Sequence, residues 1–149
     1  MKIAGTISGI LAKKGSTVWS ILPAATVFDA IALMAEKNIG ALPVLENNRL
    51  IGIISERDYT RKVILKGKSS QETRVEEIMT QHLVTADPSD TVVDCMRVMT
   101  EERVRHLPVI KGAKMVGVLS IGDLVKCLIS AQAETIDNLE QYLTGAILD

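Results

Sequence analysis

The sequence contains one pattern twice, 65 residues apart. Aligning Pro23–Asp58 with Pro88–Asp123 requires no gap and gives 12 identities in 36 positions, where unrelated sequences would give about two. The clearest shared segments are GIISERDY, which begins at Gly52, and GVLSIGDL, which begins at Gly117. Because both copies must adopt the same structure, the duplication constrains the fold more than any local motif. We therefore expect two equivalent units that pack together.

Each copy predicts the element order β-α-β-β-α. The segments are a first strand (TVWSI or HLVTA), a helix with apolar residues at helical spacing, a strand (ALPVLE or HLPVIK), a hairpin turn (NNR or GAK), a second apolar strand (LIGIIS or MVGVLS) and a helix opened by Ser-x-x-Asp. Strands that are almost continuously apolar need cover on both faces, and one unit alone would leave one face open. The sequence thus predicts an α+β sandwich of two units packed about a pseudo-two-fold axis, with short flanking helices.

The repeat and the polar stretches suggest boundaries within the chain. We expect an N-terminal helix within residues 1–16, a first unit over 17–66, a linker over 67–81, a second unit over 82–133, and a C-terminal helix and tail over 134–149. The N-terminal helix is expected over residues 3–14. The segment ETIDNLEQYLTG predicts a separate amphipathic helix over 134–144, with Ile136, Leu139 and Leu143 on one face.

Composition excludes several classes of function. A net charge of −1 does not predict a broad basic face for nucleic acid, and an aromatic content of 3% argues against base-stacking platforms. No apolar run reaches the roughly 18 residues that a membrane-spanning helix needs, and the N-terminus lacks the features of a signal peptide. Of the two cysteines, neither lies in a CxxC pair, and Cys95 is expected to be a small buried residue. We expect a reducing, cytoplasmic location.

Beyond the pattern itself, the segments IGALPVLENNRLIGIISERDY and VRHLPVIKGAKMVGVLSIGDL resemble paired CBS domains, a family named after cystathionine β-synthase. The resemblance covers about Val18 to Leu128. It implies a flat two-unit module that binds adenosine-containing nucleotides (AMP, ADP, ATP, NAD(H) or S-adenosylmethionine) in two clefts between the units, with a regulatory, energy-sensing role toward an unknown partner protein. It also implies a homodimer of such pairs. With no enzyme or transporter domain in the sequence, we expect a stand-alone pair.

The duplicated Ser-x-x-Asp box has two interpretations. As a capping box, the Ser side chain accepts a hydrogen bond from the third helical amide and the Asp accepts one from the Ser amide. As a ligand site, the helix N-terminus attracts phosphate and the Asp accepts hydrogen bonds from ribose hydroxyls. Because a repeated fold repeats its caps, the duplication alone does not decide between them.

The resemblance implies that each cleft combines the Ser-x-x-Asp box of one unit with the first strand and the pre-LPV turn of the other. The first cleft then contains Ser55, Arg57, Asp58, Arg61, Val84, Thr85, Val104, Arg105 and His106. The second contains Thr17, Val18, Ile39, Gly40, Ala41, Ser120, Gly122 and Asp123. Adenine is expected between aliphatic side chains such as Val104 or Ile39, and the ribose on Asp58 or Asp123.

The predicted clefts differ in charge. The first gathers Arg57, Arg105 and His106, with Arg61 one turn further along its helix. The second has Gly122, Gly40 and Ala41 at the positions that match the first three, with no cation among them. Because phosphate recognition uses cationic side chains and amides, we expect the first cleft to bind a nucleotide phosphate more tightly. The remaining histidine, His82, is expected to face solvent.

Catalysis has little support in the sequence. No nucleophile is paired with a base in one motif, and no metal-binding cluster or Gly-rich phosphate loop is present. The GKSS segment at residues 67–70 lacks the first Gly of a P-loop, so we interpret it as linker. We expect no enzyme activity and no catalytic cofactor. The alternative to a ligand sensor is a structural dimerisation module whose boxes are only caps.

Overall fold

The computed structural model describes residues 5–15 and 17–148. Its elements, in chain order, are α1 (Ile7–Lys14), α2 (Val27–Lys37), β1 (Ala41–Glu46), β2 (Arg49–Ser55), α3 (Glu56–Tyr59), α4 (Val75–Ile78), α5 (Val92–Glu102), β3 (His106–Lys111), β4 (Lys114–Ser120) and α6 (Ile121–Leu148). A π-helical segment, Thr60–Ile64, follows α3 directly.

The two copies of the repeat form the same antiparallel hairpin. In the first, β1 pairs with β2, and Val44 lies opposite Gly52; in the second, β3 pairs with β4, and Val109 lies opposite Gly117. Each hairpin has its irregularity immediately after that pair. The α+β class and the duplicated architecture are therefore confirmed, and the structure adds that the two hairpins share one register.

The predicted first strands TVWSI and HLVTA are wrong as strands. Each contributes a single bridging residue, Ile21 opposite Val44 and Ala86 opposite Val109, in parallel orientation. The prolines explain the shortness, because Pro23 and Pro88 follow two residues later and begin a turn. Proline has no N–H to donate to a strand ladder and fixes its own backbone, so the pairing cannot continue.

Each unit has its own hydrophobic core. The first core consists of Val27, Ala30, Met34, Leu42, Val44, Ile54, Val63, Val75 and Ile78. The second consists of Ile7, Ala86, Val92, Cys95, Met99, Leu107, Val109, Leu119 and Leu124. Each list includes residues from a segment outside the predicted unit.

These outside segments precede one unit and pack on the other. We call them lead segments: residues 5–11, before the first unit, and residues 73–79, before the second. The amide of Ile7 donates to the carbonyl of Asp90 at 3.0 Å, and the amide of Val75 donates to the carbonyl of Ala25 at 2.8 Å. Ala25 and Asp90 are matching positions of the repeat, so the two attachments are equivalent. The lead segments therefore tie the units together crosswise.

Two boundary predictions need correction. The segment 67–81 is not only a linker, because Val75 and Ile78 of α4 are buried in the first core. The two helices expected after Asp123 are one continuous helix, α6, of 28 residues. Residues 129–135, ISAQAET, contain neither Pro nor Gly, and Ala, Gln and Glu favour helix, so nothing in the sequence ends it. Residues 1–4 and 16 of the N-terminal prediction and residue 149 of the tail lie outside the described residues.

Candidate functional site

The first Ser-x-x-Asp box forms a complete capping box at the start of α3. The backbone N–H of Asp58 donates to Oγ of Ser55 at 3.2 Å, and the backbone N–H of Ser55 donates to Oδ2 of Asp58 at 2.9 Å. The Ser55 hydroxyl donates to the same oxygen at 3.0 Å. The capping interpretation is thus confirmed for this box.

The other carboxylate oxygen of Asp58 is also engaged. Its Oδ1 accepts a hydrogen bond from the Thr80 hydroxyl at 3.2 Å and lies 3.1 Å from Nζ of Lys62. Lys62 also donates to the carbonyl of Ile78 at 2.8 Å, at the end of α4. Asp58 is only 8% exposed. It therefore joins the box helix to the lead segment that packs on the first unit.

The second box forms the same reciprocal cap at the start of α6. The backbone N–H of Asp123 donates to Oγ of Ser120 at 3.1 Å, and the backbone N–H of Ser120 donates to Oδ2 of Asp123 at 2.9 Å. The additional partner differs, since Nζ of Lys14 lies 2.8 Å from Oδ2 of Asp123. Lys14 also donates to the carbonyl of Val118 at 2.7 Å. A cation from α1 thus closes onto the second box.

Lys14 stabilises the ionised form of Asp123. Burial would raise the pKa of the Asp123 carboxyl, but the hydrogen bonds from Lys14 and from the Ser120 amide, with the Lys14 charge, outweigh burial, so that the pKa is lowered from its ordinary value of 3.8. The Asp123 side chain is 25% exposed, against 11% for Asp58. The second carboxylate is therefore the more accessible of the two, and it is anionic at neutral pH.

The turns before the two LPV segments meet across the units. A Cβ placed on Gly40 would lie 3.5 Å from Cε1 and Nε2 of His106 and 3.3 Å from Oε1 of Glu56. Each turn also bonds its own box helix: the Glu56 amide donates to Gly40 at 3.1 Å and the Ile121 amide donates to Arg105 at 2.8 Å. The described contacts thus connect each turn with the box of its own unit, and connect the two turns with each other.

His106 is not the cation that the sequence suggested. Burial lowers its pKa below the ordinary 6.5, nearby Lys14 and Arg105 lower it further, and Asp123 opposes them. At neutral pH the imidazole is therefore mainly uncharged. His106 therefore adds no positive charge to the predicted first cleft at neutral pH.

The three predicted arginines keep their charge available. Arg57, Arg61 and Arg105 are exposed, and within residues 5–15 and 17–148 none of them forms an ion pair with an acid. By contrast, Arg97 on α5 lies 3.1 Å from Asp94. A guanidinium without an acidic partner can form two parallel hydrogen bonds to a phosphate.

The other predicted site residues have mixed environments. Ala41 lies opposite Ser55 in the first hairpin and is 4% exposed. The partly buried members are Val18, Ile39, Val84 and Val104, and the exposed members are Thr17, Thr85 and Gly122. The specific grouping of these residues into two cross-unit clefts stays a prediction.

A concave surface adjoins Gly40. Its volume is about 290 Å³, and it is lined by Ile31, Met34, Ala35, Asn38, Ile39, Gly40 and Glu56. This is just below the range of about 300–1,000 Å³ for small-molecule pockets. Its lining includes Ile39 and Gly40, which were predicted for the second cleft. It also includes Glu56, the first residue of α3, which follows Ser55 of the first box.

Sequence reasoning missed three polar side chains at the boxes: Lys14, Lys62 and Thr80. Lys62 had a local signal, because it lies four residues after Asp58 on the same helical segment. Lys14 and Thr80 lie shortly after the two lead segments, whose crosswise packing was not predicted. Only recognising those segments as part of the repeat would have found them.

Other candidate chemistry finds little support within the described residues. These residues contain no group of three or more His, Cys, Asp or Glu side chains placed to hold a metal ion. The described helices include none that is both long and apolar enough to cross a membrane. Burial, with Asp90 and Asp94, raises the pKa of Cys95 to about 11, so this thiol is an unreactive core residue as predicted. The His82 side chain is 82% exposed, which confirms that prediction.

Comparison with known proteins agrees with the duplication. The family model described as CBS domain matches residues 16–64 and again residues 75–130. The CBS domain-containing protein CBSX3, mitochondrial, of Arabidopsis thaliana is 41% identical over 150 residues, covering 94% of this chain and 72% of that protein. A CBS-domain protein structure from Burkholderia ambifaria has a TM-score of 0.81 and 49% identity, covering 84% of this chain and 94% of that one.

A more distant structure contains ligands. The CBS domain pair of protein MJ0100, in complex with 5-methylthioadenosine and S-adenosyl-L-methionine, has a TM-score of 0.74 and 22% identity, covering 83% of this chain and 94% of that one. At this identity, the similarity is one of fold.

Proposed function

The chain belongs to the CBS domain family, and on that premise we propose that it is a regulatory module that binds an adenosine-containing nucleotide between its units and transmits the occupancy to a partner protein. The observation that carries the proposal is the meeting of the two pre-LPV turns, Gly40 against His106, beside two equivalent capping boxes. The adenosine ligands of the MJ0100 pair support the ligand class. The nucleotide itself, AMP, ADP, ATP or NAD(H), is left to the experiment.

We assign the phosphate to the first cleft, where Arg57, Arg61 and Arg105 offer charge that no described acid neutralises. The ribose would bind to Asp58 there by replacing the Thr80 hydroxyl, while the Lys62 ammonium stays on the same carboxylate oxygen. In the second cleft, Lys14 and the Ser120 amide both bind Oδ2 of Asp123, so a ribose would bind the other carboxylate oxygen. Because both acids already have a lysine partner, we base the preference for the first cleft on its arginines, which form charge-assisted hydrogen bonds to a phosphate.

Isothermal titration calorimetry tests this assignment. We expect Arg105→Ala to weaken ATP binding at least tenfold while changing the affinity for the uncharged 5-methylthioadenosine less than threefold. Arg97→Ala is the matched control, since Arg97 is also exposed but lies on α5 beside Asp94. Asp58→Asn should weaken all adenosine ligands. If AMP, ATP and NADH bind the Arg105 and Asp58 variants as they bind the unchanged protein, the cleft assignment is wrong.

The complete caps favour a second candidate function. Both boxes are satisfied by protein groups alone, so they also fit a structural dimerisation module without a nucleotide. A thermal shift separates the two functions, because a ligand at 100 times its Kd stabilises the folded state by about 2.7 kcal/mol. Absence of any shift with AMP, ADP, ATP, NAD(H) and S-adenosylmethionine would support the structural module.

The proposed role is regulatory and non-catalytic, with the nucleotide as an effector. Incubation with ATP followed by chromatography should recover ATP unchanged. We also propose a homodimer of CBS pairs and a cytoplasmic location. The Arabidopsis relative is named as mitochondrial, so cell fractionation is the direct test of the location.

A further inference from the structure

The second half of α6 lacks a tertiary partner among the described residues. Leu124, Cys127 and Leu128 pack on the second core. Beyond Leu128, the described side chains are exposed, except for Ala131 and Thr135, which are partly exposed. The remaining part of the helix, roughly 20 residues, is about 30 Å long. Most helical stability in proteins comes from burying an apolar face, and this stretch buries none among the described residues.

The exposed part presents an apolar stripe with a seven-residue period. Ile129, Ile136 and Leu143 are spaced by seven residues, and Val125 and Leu139 lie four residues before the first and third of them. Their exposed fractions are 62%, 55% and 59% for the first three and 40% and 58% for the other two. This is the a/d pattern of a two-stranded coiled coil rather than the wider stripe of a helix that packs on a globular core.

The charges on α6 favour an antiparallel partner helix. Between Lys126 and residue 141 the helix carries three acids, Glu134, Asp137 and Glu140, and no further cation. We assign Ile129 to position a of the heptad, so that Leu139 is at d and both Lys126 and Glu140 are at e. In a parallel pair Glu140 would face Thr135 at a g position of the second helix, and Lys126 would have no acid opposite it. In an antiparallel pair, Ile129 lies opposite Leu139 of the second helix. Lys126 of each helix then lies beside Glu140 of the other, which gives two such pairs per dimer.

We propose that α6 pairs with α6 of a second copy of this chain as an antiparallel coiled coil through Val125, Ile129, Ile136, Leu139 and Leu143. The overlap, from about residue 125 to 143, would bury on the order of 1,000 Å² in total, which is the lower limit for a specific interface. Gln132 is the polar member of the stripe. It lies near the two-fold axis, where a polar residue helps to fix the register. The proposal does not depend on nucleotide binding.

Sedimentation equilibrium of the full chain between about 1 and 100 μM tests the pairing. We expect a dimer, and we expect Ile136→Glu to raise the dimer Kd at least tenfold. Asn138→Glu is the matched control, because it adds the same charge on the outer face of the helix and should leave the Kd within threefold. Circular dichroism and thermal unfolding check that both variants keep the fold of the two units.

Charge exchange tests the orientation. Lys126→Glu and Glu140→Lys should each weaken the dimer, and the double variant should restore it to within threefold of the original Kd. In a parallel pair the two positions lie about 21 Å apart along the helix, so the double variant would not be rescued. A monomer at 100 μM, a dimer unaffected by Ile136→Glu, or failure of the double variant to recover each overturns the proposal. A monomer would mean that another protein covers the stripe.

Discussion

Replacing Ile7 by Ala should destabilise the second unit, although Ile7 precedes the first unit in the chain. The Ile7 side chain is fully buried in the second core, and α1 is bound to that unit by backbone hydrogen bonds to Asp90 and Pro88. Val75 is the equivalent residue of the other lead segment and is fully buried in the first core. The matched substitution Val75→Ala should therefore affect the first unit.

The expected magnitudes follow from the atoms removed. Ile→Ala substitutions in cores cost about 2–5 kcal/mol of unfolding free energy. We expect about 2–3 kcal/mol for Ile7→Ala, because α1 is a short surface helix that can move to fill part of the space. Val75→Ala removes two carbons, and at about 0.8 kcal/mol each plus a cavity contribution should cost roughly 2 kcal/mol.

Urea denaturation measures the total loss, and native-state hydrogen exchange shows where it falls. Ile7→Ala should reduce amide protection mainly in β3 and β4, and Val75→Ala mainly in β1 and β2. Because local openings report the stability of cooperative parts of a protein, the two variants should give opposite patterns. If Ile7→Ala exposes β1 and β2 more than β3 and β4, the crosswise packing of the lead segments is refuted.

Three further changes test individual contacts. Gly52→Ala should destabilise more than Gly117→Ala, as compared by denaturation, because a Cβ at Gly52 would lie 2.6 Å from Sδ of Met79 and 3.1 Å from the Thr80 carbonyl, whereas a Cβ at Gly117 would meet only the flexible end of Leu11, at 2.6 Å. Lys14→Met should lower the free energy of unfolding by roughly 0.5–1 kcal/mol at neutral pH. Since the pKa of Asp123 is lowered in the folded protein, this loss should be present above pH 3.8 and should disappear as the pH falls through the folded-state pKa. An Asp123 titration by NMR that is the same in the variant would contradict the prediction. The pKa of His106 is lowered in the folded protein, so the unfolded chain binds the proton more readily and the free energy of unfolding should fall as the pH drops below 6.5. His106→Gln should remove that part of the pH dependence. Identical dependence of unfolding free energy on pH in the two proteins would count against the prediction.

The repeat predicted the hairpins and the boxes well because these features depend on residues that are identical in both copies. Gly52 and Gly117 fix equivalent positions in the two hairpins, since a side chain there would collide with a lead segment. Ser and Asp at a strand-to-helix junction satisfy the helix amides whatever else surrounds them. Local chemistry of this kind can be read without knowing the tertiary structure.

The lead segments could not be predicted in the same way. At the offset of 68 that superposes residues 5–11 on 73–79, the one identity is Ile10 with Ile78. What the segments share is apolar spacing, Ile7, Ile10 and Leu11 in the first, with Val75, Ile78 and Met79 in the second. Such spacing predicts a helix turn with one apolar face but not which core will receive it. The choice of the opposite unit is made by tertiary packing.

The residues that follow the two lead segments give Asp58 and Asp123 different hydrogen-bond partners. After α4 the chain leaves the helix, so that the backbone of Thr80 pairs with Ile53 and its hydroxyl reaches Asp58. Helix α1 continues instead to Lys14, whose ammonium bonds Val118, the counterpart of Ile53, and also Asp123. The Lys14 ammonium thus makes, at the second box, the two contacts that the backbone amide and the hydroxyl of Thr80 make at the first box. The lysine at each acid therefore has a different origin: Lys62 at Asp58 belongs to the same unit, whereas Lys14 at Asp123 comes from α1, which precedes the other unit. On the proposed function, a ligand at Asp123 would consequently lie beside the end of α1, and α1 could respond to its binding.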